Sequence, residues 1–138
     1  MANEHLSEKV SVNINTSTLS SIDMLVDNGY YSNRSDFINQ AVREGLQKHQ
    51  ATIDRIAEQE MKSSAAHDDP WFLGVYGLEK RDIEEQYEKG ETCSIRGYGV
   101  LMIPDSIPDE QLFAEVESIT LRGKAVCRQS VKAHYGLK

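Results

Sequence analysis

Six residues near the start of the chain alternate without a break. Lys9, Ser11 and Asn13 fall on one face of an extended segment, and Val10, Val12 and Ile14 fall on the other. A period of two is the mark of a strand with one apolar face. Such a strand presents N–H and C=O groups to be paired and an apolar row to be covered, and alone it achieves neither. No hairpin partner follows. Asn15-Thr16-Ser17-Thr18 is N-cap chemistry, and Leu19, Ile22, Leu25 and Val26 then recur at helical spacing until Asn28-Gly29 stops the helix. The strand has to find its partner elsewhere.

After Gly29-Tyr30-Tyr31, Ser32 or Asn33 can cap a second helix, with Asp36 placed to favour its positive end. Phe37, Ile38, Ala41, Val42 and Leu46 form the stripe that this helix is expected to bury. Val42, Leu46, His49, Ile53 and Ile56 extend it in heptad-like steps, and no Gly or Pro interrupts residues 46–69. The pattern predicts one long helix from about Asn33 to about Met61. Lys62–Pro70 is then the best linker in the chain.

From Trp71 the texture changes. Glycines at 74, 77, 90, 97, 99 and 123 separate short apolar runs. Helical candidates are Leu78–Lys89, Pro108–Val116 and Ser130–Tyr135; strand candidates are Ser94–Arg96, Val100–Ile103 and Ile119–Cys127. Between the first two strands, Gly97-Tyr98-Gly99 reads as a turn. Ile95-Arg96-Gly97-Tyr98-Gly99-Val100-Leu101 echoes Leu121-Arg122-Gly123-Lys124-Ala125-Val126-Cys127 at an offset of 26 residues, with Tyr76-Gly77-Leu78 a poorer third copy. Such a period suits strand-turn-helix units stacked side by side. Trp71-Phe72-Leu73 is either the start of this core or an interaction anchor.

Composition limits the functions open to the chain. With 138 residues, 39% of them hydrophobic, it has ordinary globular content. No apolar run approaches the ~18 residues of a membrane helix, and the first twenty residues lack a basic-then-apolar signal. Cys93 and Cys127 are too few for a disulfide scaffold. The expectation is a cytoplasmic protein with no membrane partner. The net charge of −7 argues against a generally basic nucleic-acid coat protein, and residues 1–50 hold four basic side chains against six acidic ones. A local patch stays compatible with that balance.

Residues Lys9 to about Lys48 resemble the ribbon-helix-helix family of repressors. The resemblance lies in the Lys9–Ile14 strand, the helix over residues 15–28, and Gly29-Tyr30-Tyr31-Ser32-Asn33-Arg34-Ser35-Asp36-Phe37-Ile38 leading into the second helix. It implies that the strand pairs antiparallel with its twin from a second subunit, and that the two-stranded ribbon enters the major groove of double-stranded DNA. Lys9, Ser11 and Asn13 would then face base edges, with Lys donating to guanine, Asn pairing with adenine and Ser serving either. Ser32, Asn33 and Arg34 would meet a phosphate at the amino end of the second helix. Val10, Val12, Ile14, Leu19, Ile22, Phe37, Ile38 and Val42 would form the dimer core.

Rival chemistry is thin. His5, His49, His67 and His134 are scattered, so Cys127 with His134, joined by Cys93, is the only arrangement pointing to a metal, and lone cysteines in strands are more often small core residues. Gly97-Tyr98-Gly99 does not complete a dinucleotide fingerprint, Glu84-Glu85 lies in a charged helix, and no nucleophile arrangement is visible. The sequence predicts no enzyme, no cofactor and no metal. The serious alternative is an antitoxin-type protein that binds a toxin partner through the segment around Ile53, Ile56 and Met61; a metal- or ligand-responsive regulator ranks below it. The expected fold is α+β: a flexible arm at 1–8, a ribbon-helix-helix domain at 9–50, a helical extension and linker at 51–70, and a C-terminal α/β domain at 71–138 for self-association or sensing. The expected protein is a homodimeric repressor, raised to a tetramer or higher by residues 71–138.

Overall fold

The computed structural model describes residues 7–138. The flexible arm expected at 1–8 lies outside the described residues as far as residue 6, as does His5. Internal contacts gather the chain into one unit over residues 9–55 and another over 56–138.

In the first unit, residues 9–14 lie outside helix and strand and pair with no strand among the described residues. Helix α1 runs from Thr16 to Asp27 and starts where the Asn15 Oδ1 accepts the Ser17 N–H at 2.9 Å. Helix α2 spans Arg34–Lys48. The single long helix expected from Asn33 to Met61 is in fact broken. His49 leaves helical geometry (φ −106°, ψ 7°), its N–H turning to the Leu46 carbonyl at 3.0 Å, and α3 resumes over Gln50–Ala66. No Gly or Pro marks that break, so periodicity ran straight through it. Helix α3 also takes in Lys62–Ala66, which the sequence assigned to a linker; only residues 67–70 remain outside helix and strand.

The stripe expected to be buried on α2 is not covered by the chain itself. Phe37 and Ile38 are half-buried, whereas Ala41, Val42 and Leu46 are exposed. Two helices in a single copy offer no opposing layer, and of their apolar residues only Ile22 is fully buried.

The second unit alternates strand and helix: β1 Trp71–Gly77, α4 Lys80–Lys89, β2 Cys93–Met102, α5 Asp109–Glu115, β3 Val116–Val126 and α6 Gln129–Tyr135. The three strands form a parallel sheet in sequence order. Ile83, Leu112 and Val131, one from each helix, pack with Phe72, Ile95, Leu101, Val116 and Ile119 in one core. On the opposite face Leu73, Val75, Tyr98 and Met102 are exposed.

The stacking of strand-helix units matches the expectation in kind and corrects it in detail. Ser94–Arg96 and Val100–Ile103 are not separate strands, and Gly97-Tyr98-Gly99 is no turn: it runs extended through the middle of β2. β1 has no counterpart among the expected strands, because Gly74 and Gly77 break up a run that carries no polar alternation. Gly74 lies opposite Gly99, and Gly99 opposite Gly123, so the repeat is 25 and then 24 residues rather than 26. Between β2 and β3 the slip is two residues, which leaves each side chain on its face. The true register aligns the glycines for a steric reason. Gly99 and Gly123 hold φ of +130° and +147°, and a Cβ on either would overlap the carbonyl of the glycine on the preceding strand.

Candidate nucleic-acid interface

Lys9, Ser11 and Asn13, the polar row of the alternating segment, are all exposed. In the apolar row Val10 is 76% and Val12 69% exposed, and Ile14 is half-buried where the chain turns into α1. An alternating segment with both faces in water has no stabilising contact of its own. Val42 and Leu46, each 54% exposed, add to the uncovered apolar surface of this unit. Leu19, Phe37 and Ile38 are half-buried and Ile22 is buried; the Phe37 ring meets Tyr31 edge-on, with centroids 4.9 Å apart.

At the start of α2 the two candidate caps take different roles. The Asn33 Oδ1 accepts the Asp36 N–H at 2.8 Å, and the Asp36 Oδ2 in return accepts the Ser32 N–H at 3.0 Å. Asn33 is the cap. Ser32 has its N–H engaged, and the donors left to an incoming anion are the first-turn N–H groups of Arg34 and Ser35. Arg34 itself forks onto α1, Nε to Asp23 Oδ1 at 2.7 Å and Nη2 to Asp23 Oδ2 at 2.8 Å. Hydrogen bonding to that guanidinium holds the Asp23 carboxyl below the usual carboxylate range and raises Arg34 above its own. No local pattern singles out Asp23. It stands eleven residues from Arg34 on another helix, and only the packing of α1 on α2 brings them together.

The charge picture is therefore balanced. Residues 9–55 carry Lys9, Arg34, Arg43, Lys48 and Arg55 against Asp23, Asp27, Asp36, Glu44 and Asp54, and one cation is already paired. Lys9 is the cation on the alternating segment.

The remaining candidates in the second unit are structural in their surroundings. Cys93 is buried, and burial pushes its thiol up to about 11. The His134 ring stacks on Phe113 with centroids 3.8 Å apart. Among the described residues no three His, Cys, Asp or Glu side chains converge on one point. A shallow hollow at the carboxyl ends of the strands is lined by Leu78, Met102, Ile103 and Val126, with Arg128 at its edge. Arg128 is bound to the Asp109 carboxylate and to the Ile107 carbonyl. No helix among the described residues is long and apolar enough to cross a membrane.

Residues 9–14, alternating polar and apolar and unpaired among the described residues, lead into two helices, the second of which opens on free N–H groups. The chain matches the Ribbon-Helix-Helix transcriptional regulator family over residues 5–132 and belongs to it. Regulators of this family bind DNA and are typically dimeric. The match runs well past the N-terminal forty residues, so the strand-helix unit belongs to the family pattern too. No curated protein and no solved structure matches the chain.

Proposed function

We propose that the protein is a homodimeric, sequence-specific transcriptional repressor. Two copies pair residues 9–14 antiparallel, and the resulting ribbon lies in the major groove of its operator. The observation that carries this reading is the bare alternating segment, with Val10 and Val12 in water on one side and Lys9, Ser11 and Asn13 presented on the other. Pairing covers the valines and Val42 together and leaves the polar row pointing away from the dimer, where base edges can accept and donate.

Phosphate contact falls to the start of α2 through the N–H groups of Arg34 and Ser35, with Ser32 and Asn33 shaping the turn. Because Arg34 is already paired and the unit is neutral in sum, sequence-independent attraction is weak and base contacts carry much of the discrimination. Useful occupancy then calls for several dimers on adjacent sites, held together by the C-terminal unit through effective concentration. The antitoxin alternative has less support, since residues 71–138 form a packed sheet and helices rather than a polar tail.

The test is selection of bound duplexes from a random pool by the full-length protein. A recurrent, two-fold-related sequence is expected. Recovery of no preferred sequence at moderate salt overturns the reading.

A further inference from the structure

The C-terminal sheet has two unlike edges. Beside β3 the chain end closes part of the edge, the Ala125 N–H donating to the Lys138 carbonyl at 3.2 Å, and Arg122 and Lys124 place charge along the strand. Charge on an outer strand discourages further pairing. β1 has neither device. Its seven residues, Trp71-Phe72-Leu73-Gly74-Val75-Tyr76-Gly77, hold no charge, and among the described residues it pairs with β2 alone. Leu73 and Val75 stand 52% and 64% exposed upon it.

Gly74 adds an independent observation. At Gly99 and Gly123 the space of the missing side chain is filled by backbone from the preceding strand. Gly74 adopts the same left-handed region (φ +112°), yet among the described residues nothing lies within 4 Å of where its Cβ would be. Among the described residues that glycine accommodates nothing. It leaves room for backbone arriving from outside.

Direction and register follow from the ladder. The Arg96 N–H donates to the Pro70 carbonyl, and the Leu78 N–H to the Met102 carbonyl, so even-numbered residues turn their backbone groups toward β2. Trp71, Leu73, Val75 and Gly77 turn theirs to the open edge. Gly74 is the middle residue of the strand. An antiparallel copy centred on it sets Leu73 against Val75 and Trp71 against Gly77 of the second copy, all at hydrogen-bonded positions. It also sets Gly74 against Gly74 at the non-bonded position, where Cα atoms close to ~4.5 Å. The strand is complementary to itself.

We propose that β1 pairs with β1 of a second copy of this chain about a two-fold axis at Gly74, joining two three-stranded sheets into one. Isologous pairing closes on itself, whereas a head-to-tail joint of β1 on β3 would run open-ended and meet the charged, partly covered edge. This gives the assembly proposed above its contact surface, and its test does not involve DNA.

Full-length protein carrying Leu73→Cys and Val75→Cys together is oxidised under mild conditions and compared with each single variant. The two-fold register brings 73 opposite 75, within the ~4.4–6.8 Å Cα span of a disulfide. The double variant is expected to form a species of twice the chain mass at least about 10-fold faster than either single. Both positions are half exposed or more, so folding is preserved, as far-ultraviolet circular dichroism checks. A folded double variant that cross-links no faster than the singles overturns the proposal. Faster cross-linking by Val75→Cys with Lys124→Cys overturns it too, in favour of the head-to-tail joint. Because DNA is absent throughout, failure here leaves the operator selection untouched, and failure of that selection leaves the cross-link standing.

Discussion

Asn13 and Arg34 are both exposed polar residues of the N-terminal unit, and their substitution is expected to fail in different ways. Asn13 stands on the polar row of the strand, so Asn13→Ala should cost ~1–3 kcal/mol on the selected site and little on random duplex. Binding titrations on both duplexes check this; equal losses would remove Asn13 from the readers. Arg34 stands at the turn proposed to meet a phosphate and is tied to Asp23. Arg34→Ala keeps the backbone N–H and leaves the Asp23 carboxylate unpaired beside it, so it should weaken both duplexes alike. The polar row was legible in the sequence because strand alternation is local. The Arg34–Asp23 fork was not, because its geometry exists only once two helices have packed.

At the scale of elements, the N-terminal strand and the glycine ladder make opposite demands. Residues 9–14 have no partner strand among the described residues, so Val12→Asp would bring a carboxylate into the surface that two copies are proposed to share. The expected result is loss of the folded dimer itself, seen as coincident loss of sedimenting mass and helical circular dichroism. A folded dimer of that variant would sink the ribbon pairing. The ladder in the C-terminal unit instead demands the absence of side chains. Gly99→Ala should destabilise that unit by about 3–5 kcal/mol, near the top of the single-substitution range, since its Cβ overlaps the Gly74 carbonyl. Urea unfolding followed at Trp71 reads this directly. Glycines also suggest a turn at Gly97-Tyr98-Gly99 by composition, yet the segment is held extended by pairing with β1 on one side and β3 on the other, with the Phe72 ring over Gly97 and the Gly74 carbonyl against Gly99. The break at His49 had no composition signal at all.

For the whole molecule, the response to pH follows from what is buried in the second unit. Burial raises the Cys93 thiol from 9.0 to about 11 and the Tyr135 hydroxyl from 10.0 to about 12. Both are neutral when protonated, and the folded state favours that form. Their contribution to stability is therefore fully present below pH 9 and is lost as pH rises through about 11 and 12. Thermal midpoints measured from pH 7 to 12 should be level with respect to these groups at first and then fall, and Cys93 should resist alkylation until the unit opens. A midpoint that rises across the alkaline range contradicts this burial.

What the sequence by itself determined is what depends on neighbours a few residues apart. The alternation of Lys9–Ile14, capping residues ahead of both N-terminal helices, a first helix over about residues 15–28, a second one starting near Ser32–Asn33 and the approximate repeat after Trp71 all rest on local periodicity and local hydrogen bonding. Tertiary structure alone decided which glycines face one another, that β1 exists and has an open edge, and that Arg34 is bound to Asp23. Those features arise from backbone and side chains far apart in the chain, and close approach between them is set by packing, which no local pattern encodes.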